Sequence, residues 1–203
     1  MLANVQTAEP LCILYELPSI LEPIDPSRLF ATNQPLEVEL GAGDGSFLAE
    51  YASRYRERNF IGIERLFGRV RKLERKGRQA GLTNLRTIRI ESSYFLRYLV
   101  PRKAVSALHI YFPDPWPKRK HQRHRLINEE FPAWAQQALA SGGAVYVRTD
   151  DQAYFDDILA VFNASPLFRR IETPPELAAL VTDFEREFQS RSIPTLRAAF
   201  QAT

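Results

Sequence analysis

The chain has 203 residues, of which 45% are hydrophobic and 25% charged, with a formal net charge of +3 and one cysteine, Cys12. These values predict a single globular domain over residues 1–203, and so small a net charge barely indicates an anionic partner. One cysteine excludes disulfides within the chain and zinc sites built from several cysteines. The sequence has no run of roughly 18 apolar residues that could form a membrane helix, and no signal-peptide pattern, so it predicts a soluble, cytoplasmic protein. We further expect a monomer or homodimer that holds no metal.

Strand and helix patterns alternate after residues 1–33, which are rich in proline and predict an irregular lead-in. Short runs of aliphatic and aromatic residues predict strands over 36–40, 59–63, 85–90, 105–112, 144–148, 168–173 and 195–200. Helical patterns cover 46–55, 66–80, 93–99, 128–140, 152–163 and 183–191. Gly81 and Gly142 are placed to end helices.

This alternation predicts an α/β fold with a parallel sheet covered by helices on both faces. In such a sheet, ligands bind outside the carboxyl ends of the strands. Four features of the sequence follow predicted strands directly: the glycine loop 41–45, Glu64, Asp114 and Asp150. We therefore expect them to meet at one edge of the sheet and to form one site.

The glycine loop follows the first strand and precedes a helix, so its backbone N–H groups can face a ligand. Glu64 ends the next strand, where a carboxylate can accept both hydroxyls of a ribose. A dinucleotide fingerprint would need glycine in place of Ser46, and Glu39 would repel a pyrophosphate. The pattern therefore favours S-adenosylmethionine over NAD; the alternative is that the glycines only form a tight turn.

The segment after the strand 105–112 places Asp114 between Pro113 and Pro115, with Trp116 and Pro117 next. The prolines restrict φ and prevent continuation of a helix or a ladder, so the acid and the indole lie on a stiff turn. The indole either stacks on a nucleic-acid base or covers the edge of the sheet. The cations that follow are predicted to contact RNA phosphates: Lys118, Arg119, Lys120, Arg123 and Arg125.

A second basic run covers residues 65–78 and contains seven Arg and Lys side chains against Glu74. It is interpreted either as a solvated helix face or as a further contact to an anionic partner.

Four segments together resemble the bacterial tRNA (guanine-N7-)-methyltransferases, which are class I S-adenosylmethionine-dependent enzymes. They are 112–118 (FPDPWPK), 60–64 (FIGIE), 148–150 (RTD) and 182–185 (TDFE), and the resemblance extends from about 36 to 200. It implies a Rossmann-like, mostly parallel, doubly wound sheet with an antiparallel C-terminal strand. It also implies methyl transfer to N7 of a guanine in tRNA, in the variable loop.

The resemblance implies a role for each matching position. Asp114 would lie between cofactor and base, and we take it as the catalytic carboxylate that orients the guanine. The implied cofactor contacts are Glu39, Gly41, Gly43, Gly45, Glu64, Glu91 and Asp114. The implied substrate contacts are Lys118, Asp150, Thr182, Asp183, Phe184 and Glu185. Glu91 departs from the family's usual Asp at that position.

Two other functions are compatible with part of this pattern. One keeps the cofactor but methylates another RNA or a small molecule, and the basic tract argues against a small molecule. The other is an RNA-binding subunit without catalysis, which would not need Glu39, the glycine loop, Glu64 and Asp114.

Overall fold

The computed structural model describes residues 12–203, in which one seven-stranded sheet has the order β3-β2-β1-β4-β5-β7-β6. Strands β1 to β5 run parallel, while β7 is antiparallel to β5 and β6. The prediction of a mostly parallel sheet with an antiparallel C-terminal strand is confirmed. The strands are β1 (Leu36–Leu40), β2 (Asn59–Glu64), β3 (Leu85–Arg89), β4 (Val105–Tyr111), β5 (Leu139–Thr149), β6 (Phe168–Ile171) and β7 (Leu196–Ala202).

Helices cover both faces of the sheet. They are α1 (Pro26–Leu29), α2 (Ser46–Arg54), α3 (Phe67–Gln79), α4 (Ser92–Tyr94), α5 (Phe131–Ala138), α6 (Gln152–Asn163), α7 (Pro175–Ala178) and α8 (Asp183–Ser190). A π-helix (Phe95–Leu99) follows α4, and a 3₁₀-helix (Arg119–His124) follows β4. Side chains of α2, α3 and α7 form one core cluster, and those of the π-helix, α5 and α6 form the other. No helix within 12–203 has both the length and the apolar character needed to span a membrane.

The central strand β1 is buried along its whole length, and its two faces differ. Leu36, Val38 and Leu40 belong to the larger core cluster. Because side chains alternate along a strand, Glu37 and Glu39 point to the opposite face, which α2 covers. The fold therefore places two carboxylates in the interior, and each needs a compensating partner.

The predicted helix over 128–140 is confirmed over Phe131–Ala138, but its continuation to 140 and its end at Gly142 are wrong. Helix α5 stops at Ala138, and β5 begins at Leu139. Pairing to β4 jumps from Val105↔Leu139 to Ala107↔Ala144, so the residues between form a bulge within the strand. Gly142, with φ 73°, supplies the left-handed conformation of that bulge. Gly81, with φ 59°, does follow the end of α3 as predicted.

Part of the predicted lead-in joins the sheet. Leu14 forms a parallel bridge with Thr87, with Tyr15 N donating to Thr87 O at 2.9 Å. Ile13 is fully buried and packs against Gly77 of α3, where a Cβ would lie 3.2 Å from its side chain. This segment therefore covers the exposed edge of β3, while residues 1–11 lie outside the described part of the chain.

Candidate active site

A cavity of about 660 Å³ opens at the carboxyl edge of the sheet. Strands β1 to β4 all end there, so the cavity brings Gly41, Glu64, Glu91 and Asp114 together. The other implied contacts lie outside its lining, including Lys118, Asp150 and the segment 182–185. Among residues 12–203, no three or more His, Cys, Asp or Glu side chains are grouped so as to hold a metal ion.

The glycine loop reaches this cavity through Gly41, which is part of its lining. Gly41 and Gly43 have φ of 83° and 56°, and a Cβ on either would meet nothing within 4 Å. Their conformation favours glycine, and their open side leaves room for a ligand against the backbone. Gly45 serves packing instead, since a Cβ there would lie 2.2 Å from Leu73 Cδ1 of α3.

Glu39 is a buried carboxyl without a full set of partners. It is 4% exposed, and its Oε2 has no hydrogen bond within the described residues. Burial raises its pKa well above the ordinary value; Arg148 opposes this shift, and the charges of Asp44 and Glu64 add to it. A cationic group bound at the loop would supply the missing partner. The ammonium of the methionine part of S-adenosylmethionine fits this requirement.

Glu64 connects the ends of two strands. Its Oε2 accepts from Gly43 N at 3.1 Å, and its Oε1 accepts from Leu66 N at 2.8 Å. The carboxylate therefore fixes the glycine loop against the start of α3 while lining the cavity. Acceptor oxygens at this place suit a ligand's hydroxyl groups.

Glu91 acts as the N-cap of α4. Its carboxylate accepts from Ser93 N at 2.9 Å, Tyr94 N at 2.7 Å and Ser93 Oγ at 2.6 Å. Burial opposes ionisation, but these hydrogen bonds outweigh it and hold the pKa of Glu91 below its ordinary value. The longer side chain in place of the family's usual Asp is thus bound to its own helix, and its cofactor contact stays a prediction.

Asp114 lies on a turn, as the prolines predict, and the structure shows in addition that the backbone on both sides of it is strained. Phe112 and Trp116 have φ of 51° and 44°, conformations that are uncommon for large side chains. Asp114 is exposed, and its carboxylate forms no hydrogen bond or ion pair with any described residue. The turn therefore presents a free carboxylate at the cavity.

Arg125 holds this turn from inside, so the prediction that it contacts RNA phosphate is wrong. It is 5% exposed, its Nε donates to Pro115 O at 2.7 Å, and it pairs with Asp157 of α6. Its guanidinium also lies 4.6 Å from the Tyr154 ring centroid. By contrast, four predicted phosphate contacts are exposed and form no ion pair within the described residues: Lys118, Arg119, Lys120 and Arg123.

Trp116 has properties of both alternatives in the sequence prediction. It is half-buried, with its ring centroid 5.3 Å from His124 and 5.9 Å from His121, and it also lines the cavity. One side of the indole therefore covers the 3₁₀-helix, and it remains accessible from the cavity.

Thr182 and Glu185 form a capping box at the start of α8. Glu185 is fully buried and pairs with Arg148 at 2.6 Å and Arg197 at 2.8 Å. Burial opposes its ionisation, but the Thr182 N–H and the two arginines hold its pKa below the ordinary value. Both residues therefore use their polar atoms inside the protein, an arrangement that supports a structural role. Of the remaining members of this segment, Phe184 is 47% exposed.

A polar network joins the glycine loop to α8. Lys76 Nζ donates to Asp44 Oδ2 at 2.9 Å and to Ser46 Oγ at 2.6 Å, and Ser46 Oγ also bonds to Asp183. Burial opposes ionisation of Asp44, but Lys76 and Ser46 hold its pKa below the ordinary value. Sequence reasoning missed this role, because Lys76 is one of many cations in its run. The available signal in the sequence is a pair of acidic residues, Asp44 in the glycine loop and Asp183 at the start of α8, which together need a nearby cation.

Asp150 lies directly after β5 and is exposed, outside the cavity lining. The neighbouring Asp151 has a different task, since it caps α6 by accepting from Tyr154 N at 2.7 Å.

The fold is that of the class I S-adenosylmethionine-dependent methyltransferases. It is similar to the 16S rRNA methyltransferase KamB, with TM-score 0.61 and 17% identity, covering 90% of this chain and 95% of that one. A 30S ribosomal A1408 methyltransferase from an uncultured bacterium gives TM-score 0.62 and 18% identity, with 90% and 96% coverage. Identities this low establish the fold alone.

The sequence comparisons then give the family. A family model described as "Putative methyltransferase" matches residues 33–198. The tRNA (guanine-N(7)-)-methyltransferase of Leifsonia xyli subsp. xyli is 35% identical over 80% of this chain and 74% of its own length. That of Sodalis glossinidius is 31% identical, with 83% and 72% coverage. The chain belongs to the tRNA (guanine-N7-)-methyltransferase family, as its motifs predict.

Some relatives are considerably longer than the matched region. The Deinococcus radiodurans tRNA (guanine-N(7)-)-methyltransferase is 31% identical over 94% of this chain, which spans 60% of that protein. The match to the Thermotoga maritima protein spans 47% of its length.

Proposed function

We propose that this protein transfers a methyl group from S-adenosylmethionine to N7 of a guanine in tRNA, in the variable loop. The observation that carries the proposal is that one cavity is lined by Gly41 and Glu64 together with Asp114 and Arg123, so that it adjoins two sets of groups. The glycine loop and Glu64, with the unpartnered Glu39 beside them, fit the cofactor. The free carboxylate of Asp114 and the exposed cations after it fit a nucleic-acid base and its backbone.

S-adenosylmethionine supplies an electrophilic methyl group carried on a positively charged sulfur. Glu39 holds the ammonium of the methionine part, and binding of that cation favours the ionised carboxylate. Glu64 accepts hydrogen bonds from the ribose while it keeps Gly43 in place. Glu91, held at the start of α4 by its own hydrogen bonds, lies at the wall of the cavity where the adenine binds.

Asp114 orients the base and stabilises charge. Guanine N7 has a lone pair in the plane of the ring, so no residue has to remove a proton from it. The carboxylate of Asp114 can accept from guanine N1–H and the exocyclic amine, a pattern that adenine lacks. As the ring gains positive charge, the same carboxylate stabilises it. Asp150, at the end of the neighbouring strand, contacts the substrate from outside the cavity.

The exposed cations after the turn bind the RNA backbone, with the 3₁₀-helix holding most of them on one surface. Trp116 stacks on a base, and Phe184 extends the substrate surface from α8. Asp183 tethers α8 to the glycine loop through Ser46, while Thr182 and Glu185 maintain the shape of this segment. Cytoplasmic location and the monomeric or homodimeric state remain predictions from the sequence.

The test is methyl transfer from labelled S-adenosylmethionine to bulk tRNA that lacks the modification, followed by mapping of the methyl group. We expect label at guanine N7. Binding of the cofactor without transfer to tRNA would support another acceptor, and failure to bind the cofactor would exclude both enzyme functions.

The sharper test is Asp114→Ala. We expect transfer to fall by about 100-fold or more, because removal of one charge-stabilising group typically costs that much. Cofactor affinity, measured by calorimetry, should stay within a few-fold. Asp156→Ala on α6 is the control, since among the described residues that exposed carboxylate accepts a hydrogen bond from Gln152 alone. Normal methylation by the Asp114 variant would show that its assignment is wrong.

A further inference from the structure

Arg97 is part of the lining of the cavity. It belongs to the π-helix, in which Phe95, Leu96 and Leu99 are buried, while Arg97 and Tyr98 remain exposed. The i→i+5 bond from Val100 N to Phe95 O, 3.0 Å long, defines this wide turn. Short π-helical turns of this kind are frequent at functional sites.

Two aromatic rings hold the guanidinium of Arg97. It lies 5.0 Å from the Tyr98 ring centroid and 4.8 Å from that of Trp134 on α5. Stacking fixes the plane of a guanidinium without consuming its N–H groups, which point outward in that plane. Arg97 and Trp134 both line the cavity.

The donors of Arg97 are free within the described residues. No side chain or carbonyl of 12–203 accepts a hydrogen bond from its guanidinium. Glu130, the carboxylate at the start of α5 that also lines the cavity, forms no ion pair with it either. The arrangement is a fixed, planar, five-donor cation at a cavity wall. That geometry matches the oxygens of a phosphate.

We propose that Arg97 binds a backbone phosphate of the RNA strand whose base enters the cavity. The inference rests on the proposed function for the identity of the strand. The Arg119–His124 helix contributes Arg123 and His124 to the same lining. It binds the RNA backbone at another phosphate. Arg97 thus adds a second phosphate contact. A search of the sequence for clusters of basic residues does not find it, because Arg97 is an isolated cation.

The test compares tRNA binding by wild type, Arg97→Ala and Arg97→Lys over a series of salt concentrations. Arg97→Ala should weaken binding roughly three- to tenfold and reduce the slope of log K against log salt by about one. Arg97→Lys should keep the slope but bind more weakly than wild type, because an ammonium lacks the planar fork. Arg102→Ala is the control, since Arg102 is exposed nearby and does not line the cavity.

An unchanged slope in Arg97→Ala, with lowered thermal stability alone, would show that the guanidinium only covers Trp134, and the inference would be overturned. Methyl transfer by wild type is measured in the same preparation. If wild type binds tRNA with an Arg97-dependent slope but transfers no methyl group, the proposed function fails and the phosphate contact stands.

Discussion

Glu39 and Glu37 are both 4% exposed and lie two residues apart on β1, yet they differ in their partners. Glu37 accepts from Arg58 at 2.9 Å and contacts His109 Nε2 at 2.8 Å. Burial opposes its ionisation, but His109 and Arg58 lower its pKa below the ordinary value. Within the described residues Glu39 has no comparable hydrogen bonds, and burial raises its pKa. The sequence LEVEL alone does not distinguish the two carboxylates, because the difference arises from what packs against them.

We expect Glu39→Gln to stabilise the protein at pH 8 and to weaken the cofactor. A carboxyl with a raised folded-state pKa contributes stability below its unfolded pKa and loses it as pH rises through the folded value. The neutral amide avoids this loss, so its gain in melting temperature should shrink toward pH 4.5. Losing a charged hydrogen-bond partner should weaken S-adenosylmethionine roughly 10- to 100-fold by calorimetry.

Glu37→Gln is the matched control, and the expected change in melting temperature has the opposite sign. Its lowered pKa means that the wild-type carboxylate stabilises the fold above its unfolded pKa and loses this effect as pH falls. The variant should therefore melt below wild type at pH 7. Equal cofactor affinity in Glu39→Gln and wild type would contradict the assignment of Glu39.

At the scale of elements, the sequence predicts well what depends on local pattern. The strand ends that carry the glycine loop, Glu64 and Asp114 follow from hydrophobic runs and turn residues. It predicts poorly where long charged side chains point, since tertiary packing decides this. Arg125 and Glu185 are buried, although the residue before each of them in the sequence is exposed. The bulge at Gly142 was missed because an alanine-rich run favours helix until pairing with β4 overrides it.

The link between α8 and the glycine loop depends on Lys76. Within the described residues, the carboxylates of Asp44 and Asp183 both bond to Ser46 Oγ, and Lys76 is bonded to that group as well. Lys76→Met should leave these carboxylates repelling each other, so that the start of α8 separates from the loop. We expect faster hydrogen exchange and proteolysis over 177–190, with a higher KM for tRNA.

Removing the charge of Asp183 distinguishes repulsion between the two carboxylates from a general loss of stability. Adding Asp183→Asn to Lys76→Met removes the repulsion and should restore much of the protection over 177–190. Lys72→Met, on the exposed face of the same helix, should have no effect on exchange there. If the double variant exchanges faster than the single one, repulsion between the two carboxylates is not the cause.

At the scale of the whole molecule, two basic surfaces compete for the role of RNA interface. One is the exposed tract after Asp114, which is continuous with the cavity through Arg123. The other is the outer face of α3, where Lys72, Arg75 and Arg78 are exposed but lie outside the cavity lining. Removing three cations from either surface changes the net charge by the same amount. Comparing two such triple variants therefore distinguishes the effect of where the cations lie from the effect of net charge.

Replacing Lys118, Lys120 and Arg123 with Ala should lower the slope of log K against log salt for tRNA by about three, because each of these cations neutralises one phosphate. Replacing Lys72, Arg75 and Arg78 with Ala should change it by less than about one, because these cations face solvent away from the bound strand. Both variants should bind S-adenosylmethionine like wild type. An equal decrease of slope in the two variants would mean that the RNA extends over α3, and a larger decrease in the α3 variant would move the interface there.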